Sequence, residues 1–183
     1  MSRPTAIVIG VGAEHGLGAA LCRRFAAEGH HVLVAGRTPH RIEQVVRAIA
    51  EAGGSAEAVP TDTTREEEVI ELFDRAMSPG AGNGPLDLVV FNAGNNQRIE
   101  FRETTAAEFE AFWRVGCYGG FLVGREAARR LAPLGRGTVI FTGASGSLRG
   151  KPGFAHFAAA KSGLRMIAQT EVEQCGPLSR IVR

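Results

Sequence analysis

One glycine-rich stretch, Gly12-Ala13-Glu14-His15-Gly16-Leu17-Gly18, stands between a short apolar run and a segment of helical periodicity. Glycines there permit a tight turn and let backbone N–H groups approach a phosphate at the positive end of the following helix. They also let that helix pack closely on the strand before it. The spacing is Gly-x-x-x-Gly-x-Gly. It departs from the Gly-x-Gly-x-x-Gly fingerprint because His15 stands where that pattern has its third glycine. A turn that merely reverses the chain would also use glycine, so the placement between strand and helix gives the motif its weight.

The elements that must hold such a turn are visible in the hydrophobic pattern. Unbroken apolar runs, the form taken by strands buried on both faces, occur at Ala6–Ile9, His31–Ala35, Leu86–Phe91 and Thr138–Phe141. Glu57–Pro60 is a shorter candidate. Helical spacing links Leu17, Ala20, Leu21 and Phe25, then Ile42, Val45, Val46 and Ile49, then Val69, Leu72, Phe73 and Ala76. Thr64 with Glu67, and Thr105 with Glu108, have the spacing of capping boxes. Residues 76–85 read as a surface loop. Strand and helix alternate without an internal repeat or linker, which predicts one α/β domain over residues 1–183. Its form is a doubly wound, Rossmann-like parallel sheet in three α/β/α layers.

Composition limits the function classes. The chain has 183 residues, 44% apolar and 22% charged, with a formal charge of +2. Its basic residues are scattered rather than gathered into a patch, which argues against nucleic acid. No stretch approaches a membrane span and no signal peptide is evident. Cys22, Cys117 and Cys175 have neither disulfide-framework nor zinc spacing and read as reduced thiols, so the expected setting is cytoplasmic.

With these landmarks in order, the sequence resembles the short-chain dehydrogenase/reductase family. The resemblance rests on the spacing of Gly12, Gly16 and Gly18, and on Thr61-Asp62-Thr63 after the third strand. It rests also on Phe91-Asn92-Ala93-Gly94 after the fourth, and on Lys161 at the start of an Ala-rich helix. It implies that Gly12, His15, Gly16, Leu17, Gly18, Asp62, Thr63, Asn92, Ala93, Gly94 and Lys161 form a nicotinamide dinucleotide site. At the end of the second strand stands Arg37, where NAD-preferring sites present an acid to the ribose hydroxyls. A guanidinium there can pair with a 2′-phosphate, and His15 lies where NADP-preferring relatives carry a second basic residue. NADP(H) is therefore expected over NAD(H). Arg37 as a solvated arginine, and His15 as an exposed turn residue, remain the alternatives.

The family's chemistry, hydride transfer between nicotinamide and a carbonyl or alcohol carbon, needs a tyrosine, a lysine, a serine and an asparagine. Carried over residue by residue, Lys161 is retained, whereas Phe157, Ala144 and Gly116 occupy the other three positions. Tyr118 is the single tyrosine and belongs to another helix. Weighed as a substitute acid, His156 reads rather as a surface or packing histidine; Ser145 and Ser147 read as turn residues or substrate contacts, and Arg149 as solvated or a ligand for an anionic substrate. Two functions stay open: an oxidoreductase with an unusual active site acting on an unknown small molecule, and a non-catalytic NADP(H)-binding regulatory or partner protein. A nonfunctional copy is a third. Family members associate through helices matching Gly119–Leu131 and Phe157–Glu173, so a homo-oligomer is expected. The resemblance also implies a sixth strand beginning near Ile181, and leaves the fifth as a bare edge.

Overall fold

The computed structural model describes residues 3–78, 83–175 and 179–182. Six parallel strands form one sheet in the order β3-β2-β1-β4-β5-β6. They are β1 (Arg3–Ile9), β2 (His31–Gly36), β3 (Ser55–Pro60), β4 (Asn83–Phe91), β5 (Thr138–Thr142) and β6 (Ser179–Val182). The helices are α1 (Leu17–Ala27), α2 (Pro39–Glu51), α3 (Glu66–Met77), α4 (Ala106–Trp113), α5 (Gly119–Leu131) and α6 (Ala155–Cys175). The chain order reverses between β1 and β4. In an open parallel sheet, that reversal opens a crevice at the carboxyl ends of the strands.

Side-chain alternation along the strands feeds two cores, one on each face. Ile7, Ile9, Leu33, Val89 and Phe91 meet Leu72, Phe73, Leu122, Val123 and Leu164 from α3, α5 and α6. Ala6, Val8, Val32, Val34 and Val90 meet Ala19, Cys22, Ile42, Val45 and Ile49 from α1 and α2. Each fully buried Ile, Leu or Phe contributes about 1.5–3 kcal/mol, so two such layers hold the sheet rigidly in place.

Four sequence expectations are corrected. First, the buried face of α1 is Gly18, Ala19, Cys22 and Ala26, not the stripe through Leu17 and Ala20. Leu17 is 59% exposed, because small side chains, rather than large ones, let this helix sit close to the sheet. Second, Thr64 does not cap α3. Its backbone N–H and hydroxyl both donate to Asp62 Oδ1, each at 2.9 Å, closing a local turn, and Arg65 takes the cap position. Thr105 and Glu108 do form the second capping box. Third, the loop expected over 76–85 is shorter, since α3 runs to Met77 and β4 begins at Asn83; residues 79–82 lie outside the described residues. Fourth, β5 is not an edge. β6 pairs with it in parallel, from Val139↔Ser179 to Thr142↔Val182.

Candidate functional site

The crevice at the topological reversal is a cleft of about 200 Å³, lined from four strand ends. The β1 end supplies Gly10, Val11 and Gly12, and the β2 end Gly36, Arg37 and Thr38. Thr61, Asp62 and Thr63 follow β3, Ala93, Gly94 and Asn95 follow β4, and Arg41 and Val115 complete the wall. Of the expected residues, Gly12, Arg37, Asp62, Thr63, Ala93 and Gly94 meet here.

Backbone crossings fix this geometry. Gly10 has φ +85°, and a Cβ there would collide with the backbone of Ala93 and Asn92. No other residue type fits both constraints. A Cβ on Gly36 would meet the Val11 carbonyl, so the β2 end can approach the turn only as glycine. Gly12 differs. Nothing lies within 4 Å of its Cβ position, so the space is open toward the cleft rather than filled by protein.

The remaining residues of the turn shape it from behind. Gly16 caps α1, its N–H donating to the Ala13 carbonyl at 2.8 Å. A Cβ on Gly18 would lie 3.0 Å from the Gly10 carbonyl oxygen, so α1 rests directly against β1. Asn92 sits beneath the turn, its side-chain N–H₂ donating to the Gly10 carbonyl at 3.3 Å and its backbone N–H to the Ile9 carbonyl at 2.9 Å. It ties β4 to the turn. His15 and Leu17 are exposed outside the cleft wall.

Charge in the cleft is unequal. Two guanidinium groups, Arg37 and Arg41, face one carboxylate, Asp62, among the described lining residues. Asp62 Oδ1 already accepts from Thr64, and the Asp62 N–H donates to Glu68 Oε2 at 2.7 Å. Neither arginine has a carboxylate partner among the described residues. Arg41, one turn into α2, escaped the sequence reading. Helical spacing could not have flagged it, since Arg37 precedes α2.

Lys161 stands on α6, only 6% exposed. Its ammonium donates to the Thr142 carbonyl at 2.9 Å, and no carboxylate among the described residues pairs with it. Burial without a counter-charge lowers its pKa from the ordinary 10.5 to about 8. A Cβ on Gly94 would lie 3.4 Å from Lys161 Nζ, which places the amine behind the β4 turn. It also lines a small cavity of about 20 Å³ with Thr142, Gly143 and Ser147, room for about one water.

Around Lys161 the expected proton-bearing groups are replaced by packing. Phe157 lies one helical turn before it, and the ring is 3.3 Å from the Cβ position of Gly146. Ala144 precedes a short 3₁₀ turn, Ser145–Ser147, and its carbonyl accepts the Ser147 hydroxyl at 2.7 Å. Gly116 belongs to a π-helical turn, Arg114–Tyr118, between α4 and α5. A Cβ there would lie 3.0 Å from Ala160 Cβ, so an asparagine would need α6 to give way. Tyr118 stacks on Trp113, ring centroids 6.0 Å apart, beneath the Arg114 guanidinium. It is occupied in an aromatic cluster. His156 is fully buried and packs on Phe112, its Nε2–H donating to the Gln97 carbonyl at 2.9 Å. Of its two readings, the packing one holds.

A family model described as short chain dehydrogenase matches residues 5–179, and the chain belongs to that family. The uncharacterized oxidoreductase YuxG of Bacillus subtilis is 38% identical over 150 residues, covering 80% of this chain and 21% of the relative. 3beta-Hydroxysteroid dehydrogenase 1 of Eggerthella lenta is 35% identical over 168 residues, covering 89% and 62%. Among solved structures, a short-chain dehydrogenase from Rhodopseudomonas palustris has TM-score 0.87 and 38% identity over 97% of this chain and 81% of that one. A metagenomic short-chain oxidoreductase in complex with NADP has TM-score 0.84 and 26% identity, over 99% and 80%. The chain thus spans between 21% and 62% of the length of the first curated relatives it matches.

Proposed function

We propose that this chain is an NADP(H)-binding domain of a short-chain oxidoreductase, built as one domain and acting on a small carbonyl or alcohol compound. The observation that carries the cofactor reading is the cleft wall, where Arg37 after β2 and Arg41 on α2 stand without a carboxylate partner among the described residues. A guanidinium pair of this kind favours a 2′-phosphate over a bare hydroxyl. The open space at Gly12 admits a pyrophosphate that a Cβ would exclude. Lys161, buried without a counter-charge, fits ribose hydroxyls as acceptors. When bound, the nicotinamide supplies or accepts hydride. The chain's own residues bind and orient it: Asp62 and Thr63 at the adenine end, Ala93 and Gly94 along the β4 turn, and Lys161 at the nicotinamide ribose.

Proton exchange is the weak point of the catalytic reading. Phe157 cannot exchange a proton, Ala144 cannot donate to a substrate oxygen, and Gly116 cannot hold a water. These three residues favour the second reading, a non-catalytic NADP(H)-binding partner or regulator. Exposed Phe109, Trp113 and Phe121, on and beside α4 and α5, support a homo-oligomer through that face. Cys22 and Cys117 are buried free thiols, Cys22 pushed up to about 12 by burial, which supports a reducing, cytoplasmic setting. No helix among the described residues is long and apolar enough to cross a membrane.

The test is the double variant Phe157→Tyr with Ala144→Ser, assayed against a panel of aldehydes and ketones with NADPH. A silent parent that gains reduction supports a binding frame short of its acid. An active parent that loses turnover assigns Phe157 to a different chemistry and sinks the non-catalytic reading.

A further inference from the structure

The β4–α4 segment and the β5–α6 segment lie side by side at the mouth of the site, and five cations on them have no carboxylate partner among the described residues. From Thr138 to Thr170 the sequence contains no Asp or Glu, yet Arg149, Lys151, Lys161 and Arg165. The facing stretch from Leu88 to Ile99 contains Arg98 and again no acid. On α5, by contrast, the arginines are neutralised. Glu126, almost fully buried, takes Arg129 at 2.9 Å, and Arg130 reaches Asp74 at 2.8 Å. None of the five cations around the mouth has a carboxylate partner among the described residues.

The nearest acids are already committed. Glu100 lies against Arg102, accepting its backbone N–H at 2.7 Å. Glu108 is held in the α4 capping box by Thr105, and that cap lowers its pKa. Arg98, moreover, is placed rather than loose. A Cβ on Gly153 would lie 2.8 Å from Arg98 Cγ, so its stem lies across that glycine. The Ile99 N–H donates to the Gly153 carbonyl at 3.0 Å, and His156 holds the Gln97 carbonyl. Three contacts thus clasp the two segments together and set Arg98 beside the loop that carries Arg149 and Lys151.

We propose that this mouth takes an anionic carbonyl compound, its anionic group held by Arg98 with Arg149 and Lys151. The carbonyl end then points inward toward Ser147 and Lys161. Uncompensated cations repel one another, and a carboxylate or phosphate relieves that repulsion while pairing bidentately with a guanidinium. This substrate class rests on the oxidoreductase reading for its carbonyl end, while the anion site stands on the mouth alone.

The experiment measures binding by calorimetry, with and without NADPH, of 4-formylbenzoate, 4-formylphenyl phosphate and the neutral methyl ester of the first. At least one anionic probe is expected to bind ten-fold or more tightly than the ester. Arg98→Gln and Arg149→Gln should each weaken it about ten-fold, Arg98→Lys should recover part of the loss, and Arg47→Gln on α2 should leave it unchanged. Anion binding without NADPH binding would sink the cofactor reading and keep the anion site. NADPH binding with anionic probes no better than the ester, or with no probe bound, would overturn the anion site and keep the cofactor reading. An equal loss in Arg47→Gln would likewise overturn it, as general electrostatics.

Discussion

Two turns at the carboxyl ends of the sheet, the one after β1 and the one after β5, have been held to different standards. After β1, the chain keeps what cannot be varied: Gly10 crosses the β4 turn, Gly36 meets the Val11 carbonyl, and Asn92 ties the layers together. After β5 the corresponding contacts are made by side chains that carry no proton to exchange. Phe157 fills its place against Gly146, Ala144 still begins a tight turn, and Gly116 lets α6 close in. Binding a dinucleotide depends on backbone and space, whereas moving a proton depends on single atoms, so one can persist where the other is lost.

The largest effect should come from a single methyl group at the first turn. Gly10→Ala must adopt a positive φ and overlap Ala93, which costs about 3 kcal/mol or more. A chemical melt should show a markedly lower midpoint or no folded protein. A variant as stable as the parent would mean the two turns are not pressed together as described.

At the second region the sign reverses. Lys161 carries a charge in a place that disfavours it by about 3 kcal/mol, offset by roughly 1 kcal/mol for its bond to Thr142. Lys161→Met should therefore stabilise the apoprotein by about 2 kcal/mol, raising Tm by about 4–8 °C, while weakening NADPH. The pH dependence follows. The folded-state pKa of about 8 lies below the ordinary 10.5, so the unfolded chain keeps the proton longer. Parental stability should rise between those two values as pH increases, and the variant should lack that rise. A lower Tm for Lys161→Met would show that the lysine is compensated in the fold.

The smallest effect is the most selective. Arg37→Ala should leave stability within about 0.5 kcal/mol of the parent, since the side chain is exposed. It should weaken NADPH about ten-fold, near 1.4 kcal/mol, and leave NADH alone. Equal losses for both nucleotides would remove Arg37 from the 2′-phosphate and return it to solvent.

How legible was this in the sequence? Strand positions were, because fully buried parallel strands are unbroken apolar runs with few rivals. The expectation that Phe157, Ala144 and Gly116 fill catalytic positions came from the resemblance, the first two by their spacing from Lys161 and Gly116 by the segment around it. The buried face of α1 was not legible. Periodicity weighs large side chains, and here the closest packing falls to Gly18, Ala19 and Cys22. The role of Gly10 was not legible either, because its collision with Ala93 joins residues far apart in the chain. Thr64 had the spacing of a cap but found Asp62 nearer, and two-residue turns of this kind compete with helix ends. Arg41 was not legible, because its place in the cleft wall depends on how α2 packs beside the β2 end.

The central proposal, an NADP(H)-binding cleft at the carboxyl ends of β1, β2 and β4, is tested most directly by titrating the purified chain with NADPH and with NADH. Nicotinamide fluorescence and the shift in Tm are followed together. Micromolar NADPH affinity, at least ten-fold tighter than NADH, is the predicted result. A folded protein that binds neither nucleotide, or binds NADH as well as NADPH, would contradict it.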